Sequence, residues 1–262
     1  AIKKTPITKK DEKYIGHIND KTTLNNSLVF SELYILKKLK LLINNKICIN
    51  VPFIYKYFIC NDCQYENPLV QKYFPDSTKC LMMVFDQADT TISEFLLKKN
   101  LDLNHMVSAY LQVYVGIYCI KKFLGISHHD LHGDNVLMYR VPPGGVWVYK
   151  IRGRNIYIPN YGFLCVLSDF GYSRIPGKID PVDLEWLYKK ETDINEDYLR
   201  ITAWLKGSGI PIKFESTKKT TIKTTTKADK EYSLMTETME SYSGSSPNSG
   251  SSTKVGSSSN SG

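Results

Sequence analysis

This chain lacks any apolar run long enough to cross a bilayer. Its most apolar window, MVSAYLQVYVGIYCI at 106–120, falls short of the roughly 20 residues that a spanning helix needs, and it reads as a buried helix. The N-terminal AIKKTPITKKDEK carries no apolar signal core, so a soluble protein is expected. Cysteine is sparse as well. Six residues in 262, irregularly spaced, exclude a disulfide scaffold and point to reduced thiols in a cytosolic or nuclear protein. Cys60-Asn-Asp-Cys63, with Cys80 downstream, is half of a zinc knuckle. Without a second close pair these cysteines read as thiols. There is no internal repeat, and the chain opens on Ala rather than Met, which suggests a processed product or a fragment.

What is present is globular: mixed charge, many aromatics, and apolar residues in periodic rather than continuous runs. A net charge of +8 favours acidic partners such as nucleotides or acidic peptides, and a Lys-rich solvated surface accounts for it equally well. The stretch 27–43, SLVFSELYILKKLKLLI, has helical spacing with Ser27 or Ser31 as cap. VPFIYKYFIC (51–60) and KCLMMVFDQ (79–87) read as strands. TISEFLLKKN (91–100) and LNHMVSAYLQVYVGIYCIKKFLG (103–125) read as helices, the second ending at Gly125. VWVYKI and RNIYIPN, separated by Arg152-Gly153, read as a β-hairpin, and FLCVLSDFG (163–171) as a strand entering a loop. PVDLEWLYKKE and NEDYLRITAWLKG have helical patterns. Beyond about residue 206 the composition turns basic and Thr-rich, then Ser/Gly-rich, which predicts a disordered tether.

The densest chemistry lies at 128–137, HHDLHGDNVL, directly after the longest apolar helix. Crowding polar groups against a core element is costly unless they perform chemistry. An Asp followed five residues later by an Asn fits phosphoryl transfer from ATP. That reaction needs a carboxylate to orient the attacking hydroxyl and oxygen ligands for Mg²⁺ on the triphosphate. Asp130 and Asn135 supply the first of these groups. SDFG at 168–171 offers a second carboxylate, Asp169, at a strand end.

HHDLHGDN followed by DFG resembles the catalytic and metal loops of the protein kinase superfamily. The likeness is nearest to haspin-like kinases and the serine/threonine kinases of large DNA viruses. By that resemblance Asp130 is the catalytic base, with His132 beside it where the family usually has Lys. Asn135 and Asp169 are ligands of Mg²⁺, and His128 packs the loop rather than binding zinc. AIKK at 1–4 resembles the end of the strand that carries the phosphate-binding lysine, making Lys3 that residue and Glu32 its helix-borne partner. LMMVFDQAD (81–89) resembles the hinge, with Phe85 as gatekeeper and Asp86 to Ala88 offering backbone groups to adenine. His129 stands where the family has the Arg that pairs with activation-loop phosphates.

The resemblance implies an α+β, bilobal fold: a partial N-lobe and hinge over 1–88, a C-lobe over 89–205 with a β-hairpin insertion, and a tail over 206–262. The N-lobe would be truncated before the lysine strand, since no Gly-rich loop precedes it, and no Ala-Pro-Glu signature follows DFG. The implied activity is transfer of the ATP γ-phosphate to Ser/Thr hydroxyls of a protein substrate, with no membrane or nucleic-acid partner. His132 keeps a small-molecule kinase of the choline or aminoglycoside type open. The missing Gly-rich loop keeps a non-catalytic pseudokinase scaffold open.

Overall fold

Leucines and other apolar residues spaced three and four apart along 28–44 build the longest helix of the first half, α3 (Leu28–Asn44). It buries Phe30, Leu33, Leu36, Leu39 and Leu42 on one face, the pattern that drives an amphipathic helix onto a sheet. The computed structural model describes residues 1–65, 68–96, 102–182 and 195–207. Ala1–Lys223 forms one compact unit, and a second, Thr224–Gly262, lies outside the described residues. So do most of the expected helix PVDLEWLYKKE, the end of TISEFLLKKN and nearly all of the expected tail.

Within the described residues the class is mixed helix and antiparallel sheet, as expected. β1 (Ile2–Ile7) leads through α1 (Lys9–Glu12) and α2 (Lys21–Asn26) into α3, followed by β2 (Lys56–Cys60), α4 (Pro68–Tyr73) and β3 (Lys79–Val84). The first sheet has the order β1-β3-β2, with Lys3 opposite Met83 and Cys60 opposite Cys80. After β4 (Thr90–Thr91) and α5 (Ile92–Leu96) comes α6 (Leu103–Leu124). Asp102 caps α6 by accepting the His105 N–H at 2.9 Å, and Gly125 ends it in the left-handed region at φ 65°. β5 (Val136–Arg140), β6 (Val146–Ile151), β7 (Arg154–Pro159) and β8 (Phe163–Leu167) follow, and α7 (Glu196–Gly207) is the last described helix. A second sheet has the order β4-β5-β8, and β6 pairs with β7 alone. That hairpin turns at Arg152 and Gly153, both at positive φ (49° and 75°), as a two-residue turn matching strand twist demands.

Three expectations are corrected. The strand foreseen from residue 51 begins only at Lys56. Val51, Pro52 and Ile54 are buried in an irregular segment instead, since Pro52 cannot donate to a ladder. Ser27 occupies the N-cap position of α3 without a side-chain cap bond, and Ser31 sits inside the helix, donating to the carbonyls of Leu24 and Ser27. The cysteines are not all thiols: Cys63 and Cys80 form a disulfide, whereas Cys60 is free. The pairing of β2 with β3 brings the two sulfurs together, with the Cys63 N–H donating to Thr78 O at 2.8 Å, and no local sequence feature announces that register.

Candidate active site

Lys3 is the second residue of β1, and its ammonium reaches Glu32 Oε1 of α3 at 2.6 Å and Asp169 Oδ1 at 3.0 Å. Lys3 and Glu32 are 29 positions apart in the chain, with α1 and α2 between them, and strand and helix still bring the pair into contact. Burial works against the charged Lys3 ammonium, but the two carboxylates outweigh it and hold its pKa above the usual lysine value. At Asp169 burial opposes ionisation, and the Lys3 charge, its hydrogen bond and the Gly171 N–H together keep the carboxyl below its ordinary range. Asp169 itself adopts φ 57°, a left-handed conformation that a non-glycine residue holds only when its surroundings fix it. Phe170 supplies that fixing: it is fully buried, and its ring packs on His128 at 4.7 Å.

The loop after α6 is held from several sides. Ser127 and Arg174 exchange backbone hydrogen bonds at 3.0 Å. His128 is fully buried, with Nε2 donating to Ser168 O at 2.8 Å and Nδ1 accepting the Asp130 N–H at 3.3 Å. Those two bonds require the neutral ring with its proton on Nε2, and burial lowers its pKa accordingly. Asn135 Nδ2 donates to Asp130 O at 2.8 Å and to Asp130 Oδ2 at 3.1 Å, so its amide oxygen faces away from that carboxylate. His132 is half exposed, with Nε2 3.9 Å from Asp130 Oδ2. Gly133 is required by contact: a Cβ there would lie 2.0 Å from Trp204 Cζ2 and 2.4 Å from Ser93 Oγ.

Asp197 was not singled out in the sequence. Its carboxylate, buried in α7, accepts the N–H groups of His128 (3.0 Å) and His129 (2.9 Å) and pairs with Lys121 Nζ at 3.2 Å. Burial opposes its ionisation, yet Lys121 and the two N–H donors hold its pKa down. His129, at φ 65°, turns Nδ1 toward Glu196 at 3.4 Å. The helical pattern of NEDYLRITAWLKG foretold α7, but no local motif marks which of its acids turns inward.

Lys3, Glu32, Phe85, Asp86, Ala88, Asn135 and Asp169 all line one cavity of about 620 Å³, within the usual range for small-molecule sites. Asp130 and His132 are not among its lining residues, and Asp130 meets that lining through its hydrogen bonds with Asn135. Ala1 and Phe85 exchange backbone hydrogen bonds at 2.7 and 2.9 Å, extending the β1–β3 ladder by one pair. Phe85 therefore falls on the same face as Lys3 and Met83. The Asp86 carboxylate accepts the Tyr55 hydroxyl at 2.8 Å, and the Gln87 side-chain amide donates to Ala88 O at 3.2 Å.

No family model matches the chain. It is 32% identical over 152 residues to a provisionally named serine/threonine-protein kinase, 019R, of Frog virus 3 (isolate Goorha), a match covering 57% of this chain and 17% of that protein. It is 30% identical over 139 residues to 380R of Invertebrate iridescent virus 6, also provisionally named a serine/threonine-protein kinase, covering 50% of this chain and 25% of that one. An uncharacterised protein, 011L of Invertebrate iridescent virus 3, is 28% identical over 140 residues, 51% of this chain and 18% of its own length. The chain is similar to proteins named as kinases in large DNA viruses. The matched stretches of this chain span a quarter or less of those relatives' lengths. Among its described residues no helix is long and apolar enough to cross a membrane.

Proposed function

We propose that this chain is the catalytic core of a serine/threonine protein kinase, transferring the γ-phosphate of ATP to protein hydroxyls. One observation carries the reading: the Lys3 ammonium bridges Glu32 and Asp169 across a cleft whose wall also presents Asn135, itself bonded to Asp130. The proposal includes the two-part division, 1–88 as N-lobe and hinge and 89–205 as C-lobe, with the cleft between.

The residues fit Mg²⁺ and ATP. A carboxylate (Asp169) and an amide oxygen (Asn135) in one cavity wall are the hard oxygen donors that Mg²⁺ prefers. Bound there, the ion would neutralise charge on the transferring phosphoryl oxygens. Lys3, oriented by Glu32, holds the α- and β-phosphates. Phe85 and the 86–88 backbone take the adenine. Asp130, steadied by the Asn135 amide, orients the acceptor hydroxyl and receives its proton, a positioning and general-base role. His132 assists at the side of Asp130, and the neutral His128 keeps that loop in register with Ser168.

The test is incubation with labelled ATP and Mg²⁺, offering protein and small hydroxyl acceptors, beside Asp130→Asn. Label should reach protein, and the variant should lose about 10²-fold or more in rate, as removal of a positioned base does. Label found only on small acceptors would establish the small-molecule alternative, for which His132 speaks. ATP binding with no transfer to any acceptor would establish a scaffold.

A further inference from the structure

We propose that Asn50 and Gln112 are positioning residues that lock together the three elements carrying Glu32, Asp130 and Asp169. The inference rests on the kinase reading for its catalytic consequence, although its geometry stands apart from that reading.

Among the described residues β8 is an edge strand, pairing with β5 on one side. Residues 163, 165 and 167 direct their N–H and C=O groups to the opposite edge, where no strand lies among the described residues. Two fully buried side chains and one backbone carbonyl engage four of those groups instead. Asn50 O accepts the Leu167 N–H at 3.0 Å, and Asn50 Nδ2 donates to Cys165 O at 2.7 Å. Gln112 Oε1 accepts the Cys165 N–H at 2.9 Å, and Gln112 Nε2 donates to Phe163 O at 3.4 Å. The two amides meet each other at 3.4 Å. Gly116, one turn along α6 from Gln112, permits the approach: a Cβ there would stand 3.3 Å from both Cβ and O of Asn50.

The topology gives this hub its meaning. Asn50 lies in the loop between α3, the helix of Glu32, and β2. Gln112 lies on α6, whose C-terminal end feeds the loop of Asp130 and Asn135. β8 ends two residues before Asp169. A surface edge could be closed by water or by a lysine, but here it is closed by amides drawn from α6 and from the loop that follows α3. A buried amide left without its partner resists rearrangement, so sliding β8 against α3 or α6 would break several such bonds together. The relative placement of the three site groups is thereby fixed from behind the cleft.

The experiment compares the full chain with Asn50→Ala and Gln112→Met, and with Ile7→Val, a fully buried truncation at the far end of β1, as a control for simple destabilisation. Two readouts are taken below each variant's unfolding temperature: phosphoryl transfer at saturating ATP and Mg²⁺, and backbone hydrogen exchange over 163–171. Asn50→Ala and Gln112→Met should lower kcat about tenfold or more, since small displacements of reacting groups are this costly. The KM for ATP should change little, and exchange over 163–171 should accelerate, with neither effect in Ile7→Val. A kcat within about twofold of wild type in folded variants would reduce the hub to a structural role and overturn the proposal. If the wild-type chain transfers no phosphate, the kinase reading fails and exchange decides alone: unchanged protection over 163–171 overturns the hub, and selective acceleration there upholds it.

Discussion

The Lys3 ammonium and the Asp169 carboxylate, 166 residues apart in the chain, meet at 3.0 Å. The same ammonium is the partner of a nearly buried Glu32, so its removal has two separable effects. Lys3→Met should lower phosphoryl transfer about 10²-fold by releasing the phosphate-positioning charge. It should also leave Glu32 in a site whose burial already pushes its pKa up against the pull of Lys3. A carboxyl whose folded pKa is raised contributes stability at low pH that is lost as pH rises through that pKa. The stability deficit of the variant relative to wild type should therefore grow between about pH 4 and pH 7, measured by urea unfolding at a series of pH values.

Asp169→Ala should abolish the Mg²⁺-dependent part of nucleotide stabilisation. At ligand near 100 times its Kd the wild-type chain should gain about 2.7 kcal/mol, visible as a thermal shift. In the variant, ATP with and without Mg²⁺ should give nearly the same shift.

Asp197→Ala removes the acceptor for two backbone N–H groups and the partner of Lys121. The expected cost is about 3 kcal/mol or more, the scale for breaking a buried ion pair from one side. Denaturant midpoints measure it, and transfer activity should fall in protein that is still folded, because the loop holding Asp130 loses its anchor.

Gly133→Ala should destabilise by about 1–3 kcal/mol through overpacking against Trp204 and Ser93. Because the close atoms belong largely to one ring, Trp204→Leu should recover part of the loss. A double-mutant cycle measures that coupling.

How far these residues could be read in advance varied with how local their signals were. Asp130, Asn135 and Asp169 were legible because their chemistry lies in two short motifs, and the structure brings Asn135 and Asp169 into one cavity. The α6 boundary and the Arg152-Gly153 turn were legible because capping and turn residues act within a few positions. Lys3 and Glu32 needed the family likeness, since α1 and α2 lengthen the chain between them. Asp197, Asn50 and Gln112 carried no readable signal: each matters through the tertiary partner it meets, and a lone Asp, Asn or Gln in a helical or loop pattern has many equivalents. The false strand at 51–55 arose from real apolar content that is buried without a ladder.

His128 is buried and neutral, and His129 also has its pKa lowered, first by burial. Both rings start from an ordinary value of 6.5, so below about pH 6.5 the unfolded chain takes up protons that the folded chain refuses. Stability should be flat in this respect above about pH 7.5 and decline as pH falls, by up to about 1.4 kcal/mol per pH unit for each ring. Urea midpoints at pH 5, 6, 7 and 8 measure the slope, and His128→Asn should flatten it.

The Cys63–Cys80 bridge closes a loop of 17 residues, a constraint worth about 3 kcal/mol against the unfolded chain. The loop also supplies the Gln64 carbonyl that holds Lys4, next in sequence to Lys3. A glutathione-rich compartment would open that staple, and an oxidising one would keep it shut. Preparations made with and without dithiothreitol should then differ in protease resistance around residue 64, so the history of a sample, not only its sequence, sets how firmly the strand of Lys3 is supported.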